Sequence, residues 1–168
     1  LAVANYVTAA PLNPNYTEEE FIFYLRDLEC KYVVTDETAS NNLRNAAKKT
    51  NTKLLFIETG DGDNSLKLKS IDTKKNISNK PNLNNDQCLI LHTSGTTSKP
   101  KQVQLSTKNI LSSASNIANI LALSKEDRGL NIMPLFHIHG LIASLLSSVV
   151  SGGCLVCSEG FNALALFS

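Results

Sequence analysis

Nine consecutive residues, Thr93-Ser94-Gly95-Thr96-Thr97-Ser98-Lys99-Pro100-Lys101, bring hydroxyls, a glycine and two lysines together. Hydroxyls and free loop amides donate hydrogen bonds to phosphate oxygens, and successive amides make a concave anion site. Gly95 has no Cβ, so the backbone there can approach a ligand closely. Lys101 adds a full positive charge suited to the β and γ phosphates of a nucleotide. The chemistry such a loop performs is the gripping of a polyphosphate. A Walker-type NTPase loop is excluded, because that motif needs a second glycine directly before its lysine and a helix directly after it. Here Ser98 precedes Lys99, and Pro100 follows it.

His137 and His139 are the second candidate pair. A His-x-His pair can open a metal site, but a site needs further ligands, and no third one stands nearby in the sequence. The same pair suits two imidazoles packed at the start of a helix. No metal ligands are assigned. Of the four cysteines, Cys88, Cys154 and Cys157 sit in apolar runs. They read with Cys30 as free thiols buried as small hydrophobes. Cys154 and Cys157 have no second Cys-x-x-Cys partner, which argues against a zinc or redox pair. The pattern suits a reducing compartment.

The elements that must hold these residues follow from periodicity. Thr17 and Glu20 have capping-box spacing, and Phe21, Tyr24, Leu25 and Leu28 then recur at helical intervals. Lys31–Thr35 and Lys53–Ile57 read as strands. Between them, Leu43, Ala46 and Ala47 are spaced for a helix within 38–50. That strand–helix–strand rhythm predicts a parallel sheet. Gly60–Asp86 is rich in Asn, Asp, Lys and Ser and reads as a flexible connector. Gln87–His92 is a strand that feeds the phosphate loop, the position where α/β sheets place ligands. Ser106 or Thr107 caps a helix through Ile110, Leu111, Ala114, Ile117, Ala118 and Leu121. Leu130–Met133 is a strand stopped by Pro134, Gly140–Val150 an apolar helix ended by Gly152-Gly153, and Cys154–Cys157 a last strand.

The chain has 168 residues, 42% hydrophobic and 18% charged, with a net charge of +1. That composition supports a folded core and gives no electrostatic case for nucleic acid or an anionic membrane surface. No run reaches the length of about 18 apolar residues that a membrane span needs. The opening Leu1–Tyr6 reads as the middle of a helix, and the ending Phe161–Ser168 has no polar tail. Both ends are expected to be cuts in a longer chain.

The order Thr93-Ser94-Gly95-Thr96-Thr97 followed by Pro100-Lys101 resembles the first signature of the adenylate-forming superfamily, Thr-Ser-Gly-Thr-Thr-Gly-x-Pro-Lys-Gly. Ser98 and Gln102 stand where that pattern has glycines. A side chain at 102 would be strained if the backbone there took a positive φ. Met133-Pro134-Leu135-Phe136-His137-Ile138-His139-Gly140-Leu141 resembles the family's Pro-Leu-Phe-His-x-x-Gly-Leu segment. Ala10–Leu25 is similar to the corresponding stretch of oxalate–CoA and medium-chain acyl-CoA ligases.

The resemblance implies an α/β fold, mainly a parallel sheet with flanking helices. All of 1–168 would be part of the large N-terminal domain of such an enzyme, truncated at both ends, with 60–86 as a connector inside it. It implies ATP, Mg2+, coenzyme A and a small-molecule carboxylate as the reaction's components, with no nucleic acid and no membrane span. Thr93, Ser94, Gly95, Thr96, Thr97 and Lys101 would hold the nucleotide's phosphates. Lys101 and His137 would be the catalytic residues, and His137 and His139 would line the acyl substrate. The parent reaction would be acid–thiol ligation, acting on oxalate or a fatty acid. The family's adenine pocket, magnesium-binding Thr-Glu pair, ribose-binding aspartate and catalytic C-terminal lysine all fall beyond residue 168. The 168 residues alone are therefore expected to be inactive. Two alternatives stay open: a truncated nucleotide-binding remnant, and an amino-acid-activating adenylation domain. The expected location is cytoplasmic or peroxisomal.

Overall fold

The computed structural model describes residues 3–59, 66–69, 87–93 and 100–158. It divides into two compact units, one of Asn13–Asn79 and one of Leu1–Leu12 with Lys80–Ser168.

In the first unit, α1 (Glu18–Asp27) starts at a capping box. The Glu20 backbone N–H donates to Thr17 Oγ1 at 3.2 Å, and the Thr17 N–H donates to Glu20 Oε2 at 2.8 Å. Two otherwise orphaned helix-end donors are satisfied this way. Tyr16 stacks on Tyr24 with ring centroids 4.6 Å apart, fixing how the chain enters the helix. Phe21, Tyr24 and Leu25 are buried, as the helical spacing predicted. The strand β1 (Tyr32–Thr35) leads to α2 (Asn41–Thr50), which is capped by Ser40 and buries Leu43, Ala46 and Ala47. Asn51, at φ 56°, ends α2 in the left-handed region that Asn tolerates better than most residues. Glu18 on α1 pairs with Lys49 on α2 at 2.6 Å. That pair and the Asn45 amide hold the Glu18 carboxyl below its usual range.

The strand β2 (Lys53–Thr59) runs parallel to β1, with Tyr32 opposite Lys53 and Thr35 opposite Phe56. The predicted strand–helix–strand unit is therefore present. A third strand, β3 (Leu66–Lys69), pairs antiparallel to β2 inside the stretch read as connector. Its Leu-Lys-Leu-Lys alternation is a strand signal, masked in the sequence by polar surroundings. The rest of 60–86 lies outside the described residues.

The second unit holds the hairpin β4 (Leu89–Thr93) and β5 (Lys101–Leu105), antiparallel to each other. On its other side β4 is joined by Ala9 through a parallel bridge. The strand β5 was not expected; its Lys-Gln-Val-Gln-Leu sequence is polar at every second position, with only half-buried apolar residues between. Ser106, not Thr107, caps α3 (Thr107–Ile120), whose Ile110, Ala114 and Ala118 are buried. The strand β6 (Arg128–Asn131) runs parallel to β7 (Cys154–Cys157).

The predicted apolar helix between these two strands divides. His139–Leu146 is a π-helix, followed by the short α4 (Ser147–Val150). Widening a helix to i→i+5 bonding displaces its normal carbonyl pairing. Ser147, buried to 1% exposure, answers by donating its hydroxyl to the Ala143 carbonyl at 2.5 Å.

The fold is α/β as expected, but two of the four described strand pairings are antiparallel, both made by the unanticipated strands. The opening residues form a 3-10 turn at Val3–Asn5 rather than a longer helix. All four cysteines are free. Cys88 is buried and Cys30 half-buried, and burial pushes the Cys30 thiol up. Cys154 and Cys157 correct the sequence reading, because both are exposed. Three residues apart on one strand, they point to opposite faces and cannot act as a pair. Among the described residues no helix is long and apolar enough to cross a membrane.

Candidate active site

The hairpin sets Thr93 and Lys101, the ends of the loop expected to hold phosphate, side by side. Leu89 and Leu91 of β4 are buried and anchor the strand. The ladder pairs Leu89 with Leu105, Leu91 with Val103 and Thr93 with Lys101. Alternation along a strand places Leu89, Leu91 and Thr93 on one face. The Thr93 hydroxyl and the Lys101 ammonium therefore continue the apolar face just beyond the core, and both residues are exposed. Directly opposed residues in such a ladder have Cβ atoms about 5 Å apart. Residues 94–99 run between these ends. The sequence-predicted Ser94, Gly95, Thr96 and Thr97, with Ser98, lie outside the described residues.

Gln102 is opposite His92 on the other face of the ladder, away from Thr93 and Lys101. It is an ordinary strand residue and is not among the positive-φ positions Glu29, Asn51 and Ala122. The expectation of strain at 102 is corrected: the backbone there has no need of a glycine.

The second candidate segment begins where β6 ends. The buried Asn131 folds its side chain onto the next turn, donating from Nδ2 to the Met133 carbonyl at 2.9 Å and accepting from the Met133 N–H at 3.3 Å. The His137 N–H then donates to the Pro134 carbonyl at 3.1 Å, and the His137 carbonyl accepts from the Leu141 N–H at 3.0 Å. The His137 ring lies 4.7 Å from that of Phe136, centroid to centroid. His137 and His139 are both exposed, just before and at the start of the π-helix. Gly140 is buried under the same turn. A Cβ there would lie 2.5 Å from the Pro134 oxygen and 2.8 Å from the Met133 oxygen, so only glycine fits.

One core holds both segments in place. It joins Leu89 and Leu91 of β4, Ile110 and Ala114 of α3, and Leu141 and Ile142 of the π-helix. The structure thus pairs Thr93 with Lys101 and ties the His137–His139 segment to the same core. Among the described residues no hydrogen bond joins either imidazole to the hairpin. Nor do three His, Cys, Asp or Glu side chains come together there as a metal site. Sequence reading missed Asn131, although an amide inside the apolar run Leu130–Met133 was the available signal.

The profile of the AMP-binding enzyme family matches residues 2–167. The chain belongs to that family. Among its relatives in the AMP-binding enzyme family is a Humulus lupulus protein named Probable CoA ligase CCL9. It is 42% identical over 151 residues, which cover 86% of this chain and 28% of the relative. The oxalate–CoA ligase of Arabidopsis thaliana is 40% identical over 148 residues, covering 86% of this chain and 29% of that protein. Among solved structures, the o-succinylbenzoate coenzyme A synthetase of Bacillus subtilis in complex with AMP superposes with a TM-score of 0.70. It is 26% identical, with 96% of this chain and 39% of that one covered. The chain therefore spans under a third of the length of these curated relatives.

Proposed function

We propose that this chain is the phosphate-gripping part of an ATP-dependent acid–CoA ligase. The observation that carries the reading is the register of Thr93 and Lys101, which sets a hydroxyl and an ammonium at the two ends of the Thr-Ser-Gly-Thr-Thr loop. The names of the relatives as CoA ligases support the reaction class.

The reaction has two steps. A carboxylate oxygen attacks the α-phosphorus of ATP, the bond to the bridging oxygen breaks, and pyrophosphate leaves with the charge. The coenzyme A sulfur, its proton passing to solvent, then attacks the acyl carbon, the bond from that carbon to the phosphate oxygen breaks, and AMP leaves. In the first step Lys101 and the loop hydroxyls take up charge that grows on the departing pyrophosphate. Donors fixed before the reaction are worth most in that role, because they need not reorganise. Mg2+ enters on the ATP phosphates as part of the substrate and neutralises them. His137 lies against the acyl-adenylate, and His139 lines the acyl side. A small dicarboxylate is the favoured acid, since an oxalate–CoA ligase is among the relatives.

Exchange of labelled pyrophosphate into ATP by the full-length protein that carries this chain tests the reading. Exchange that depends on an added carboxylate, with oxalate ahead of long-chain fatty acids, is expected. Exchange driven by amino acids instead would move the protein to the amino-acid-activating branch.

A further inference from the structure

We infer that Asn131 is a positioning residue for His137, acting through the Met133–Pro134 turn; the inference rests on the proposed contact of His137 with substrate. Asn131 is 5% exposed, at the last position of β6, where the run Leu130-Asn131-Ile132-Met133 would otherwise be apolar. Burying an amide is unfavourable unless its donor and acceptor find partners. Here both find them on one residue: Nδ2 donates to the Met133 carbonyl and Oδ1 accepts from the Met133 N–H, at 2.9 and 3.3 Å. The main-chain carbonyl of Asn131 accepts from the Ser158 N–H at 3.2 Å and from its hydroxyl at 3.3 Å, which ties the strand end itself.

The same Met133 carbonyl lies close to Gly140, where a Cβ would meet it at 2.8 Å. The turn thus meets the Asn131 amide and the bare Cα of Gly140 at one carbonyl. His137 and His139 lie on the chain between these two clamps. The first link outward from the clamp is the hydrogen bond from the His137 N–H to the Pro134 carbonyl. A leucine at 131 would fit the apolar run, but it would free the Met133 carbonyl and let the turn move. A shift of about 1 Å in a substrate-positioning group can cost about 100-fold in rate.

The test is a double-mutant cycle in the full-length protein, using pyrophosphate–ATP exchange with its preferred carboxylate. Asn131→Leu is expected to lower kcat/KM for the carboxylate by about 10- to 100-fold while KM for ATP stays within about twofold, because Thr93 and Lys101 sit on a different strand pair. Asn131→Asp retains the acceptor for the Met133 N–H but sets a carboxylate against the Met133 carbonyl. It is expected to fall between wild type and Asn131→Leu, and it carries the test if the leucine variant does not fold. In a His137→Ala background either substitution at 131 should cost less than about twofold more. Additive losses in that background, or losses that track only the folded fraction with every KM unchanged, overturn the inference. A His137→Ala variant as active as wild type removes the proposed role of His137, and this inference with it.

Discussion

Thr93 and Lys101 are the terminal register pair of the β4–β5 ladder, so the chain leaves the core at a hydroxyl and returns at an ammonium directly across from it. Strand pairing fixes both of these positions, 93 and 101.

Replacing Lys101 tests that arrangement. Lys101→Ala in the full-length protein is expected to lower pyrophosphate–ATP exchange by about 100-fold, the scale seen when a fixed electrostatic donor is removed. Thr93→Val removes one hydroxyl of several and is expected to cost about tenfold, the scale of a single neutral hydrogen bond. Steady-state exchange rates at saturating ATP measure both. Equal losses for the two variants would mean that the charge at 101 has no special part.

Gln102→Gly separates strand from loop. Since Gln102 pairs with His92 in a regular ladder, glycine brings no release of strain. The variant is expected to lose about 0.5–1 kcal/mol of stability with no gain in exchange rate, read by denaturant unfolding and by the same assay. A faster enzyme would show that the position wants a glycine after all.

Gly140→Ala forces a Cβ against two carbonyl oxygens of the 133–134 turn. The backbone has to move, at a cost of about 1–3 kcal/mol, and the histidine segment moves with it. Both the melting temperature and kcat/KM for the carboxylate are expected to fall. Unchanged kinetics in the folded variant would show that the turn does not govern the site.

The Glu18–Lys49 pair gives a pH signature far from the chemistry. The Lys49 ammonium and the Asn45 amide lower the Glu18 carboxyl from its ordinary value in the folded chain. A carboxyl lowered on folding adds stability above its unfolded value, and that stability is lost as pH falls through the folded one. Glu18→Gln is therefore expected to be less stable than wild type at neutral pH, the gap closing on acidification. Thermal unfolding at a series of pH values measures it, and a gap that stays constant with pH would contradict the assignment.

The parts of the fold legible in the sequence were those written in local rules. The Thr17–Glu20 cap, the Phe21/Tyr24/Leu25 stripe and the β1–α2–β2 unit follow from local signals, because the buried residues of α1 and α2 recur at helical spacing and β1 and β2 are short runs of strand-favouring residues. The strands β3 and β5 were missed because their stability comes from pairing with β2 and β4, while their own residues are mostly exposed. The π-helix was unreadable for a related reason. An apolar run from Gly140 onward fits either helix type, and a buried serine bonding back to Ala143 shows only in three dimensions. At the site, the loop order pointed to the family whose profile matches the chain, whereas the approach of Asn131 and Gly140 to one carbonyl needed the structure.

The most direct measurement is carboxylate-dependent exchange of pyrophosphate into ATP by the full-length protein, compared with its Lys101→Ala variant. Exchange is expected to require both the acid and Lys101, and to be absent from the 168-residue chain alone. An active protein indifferent to Lys101, or no exchange with any carboxylate, would contradict the assignment of Thr93–Lys101 as the phosphate grip of an acid–CoA ligase.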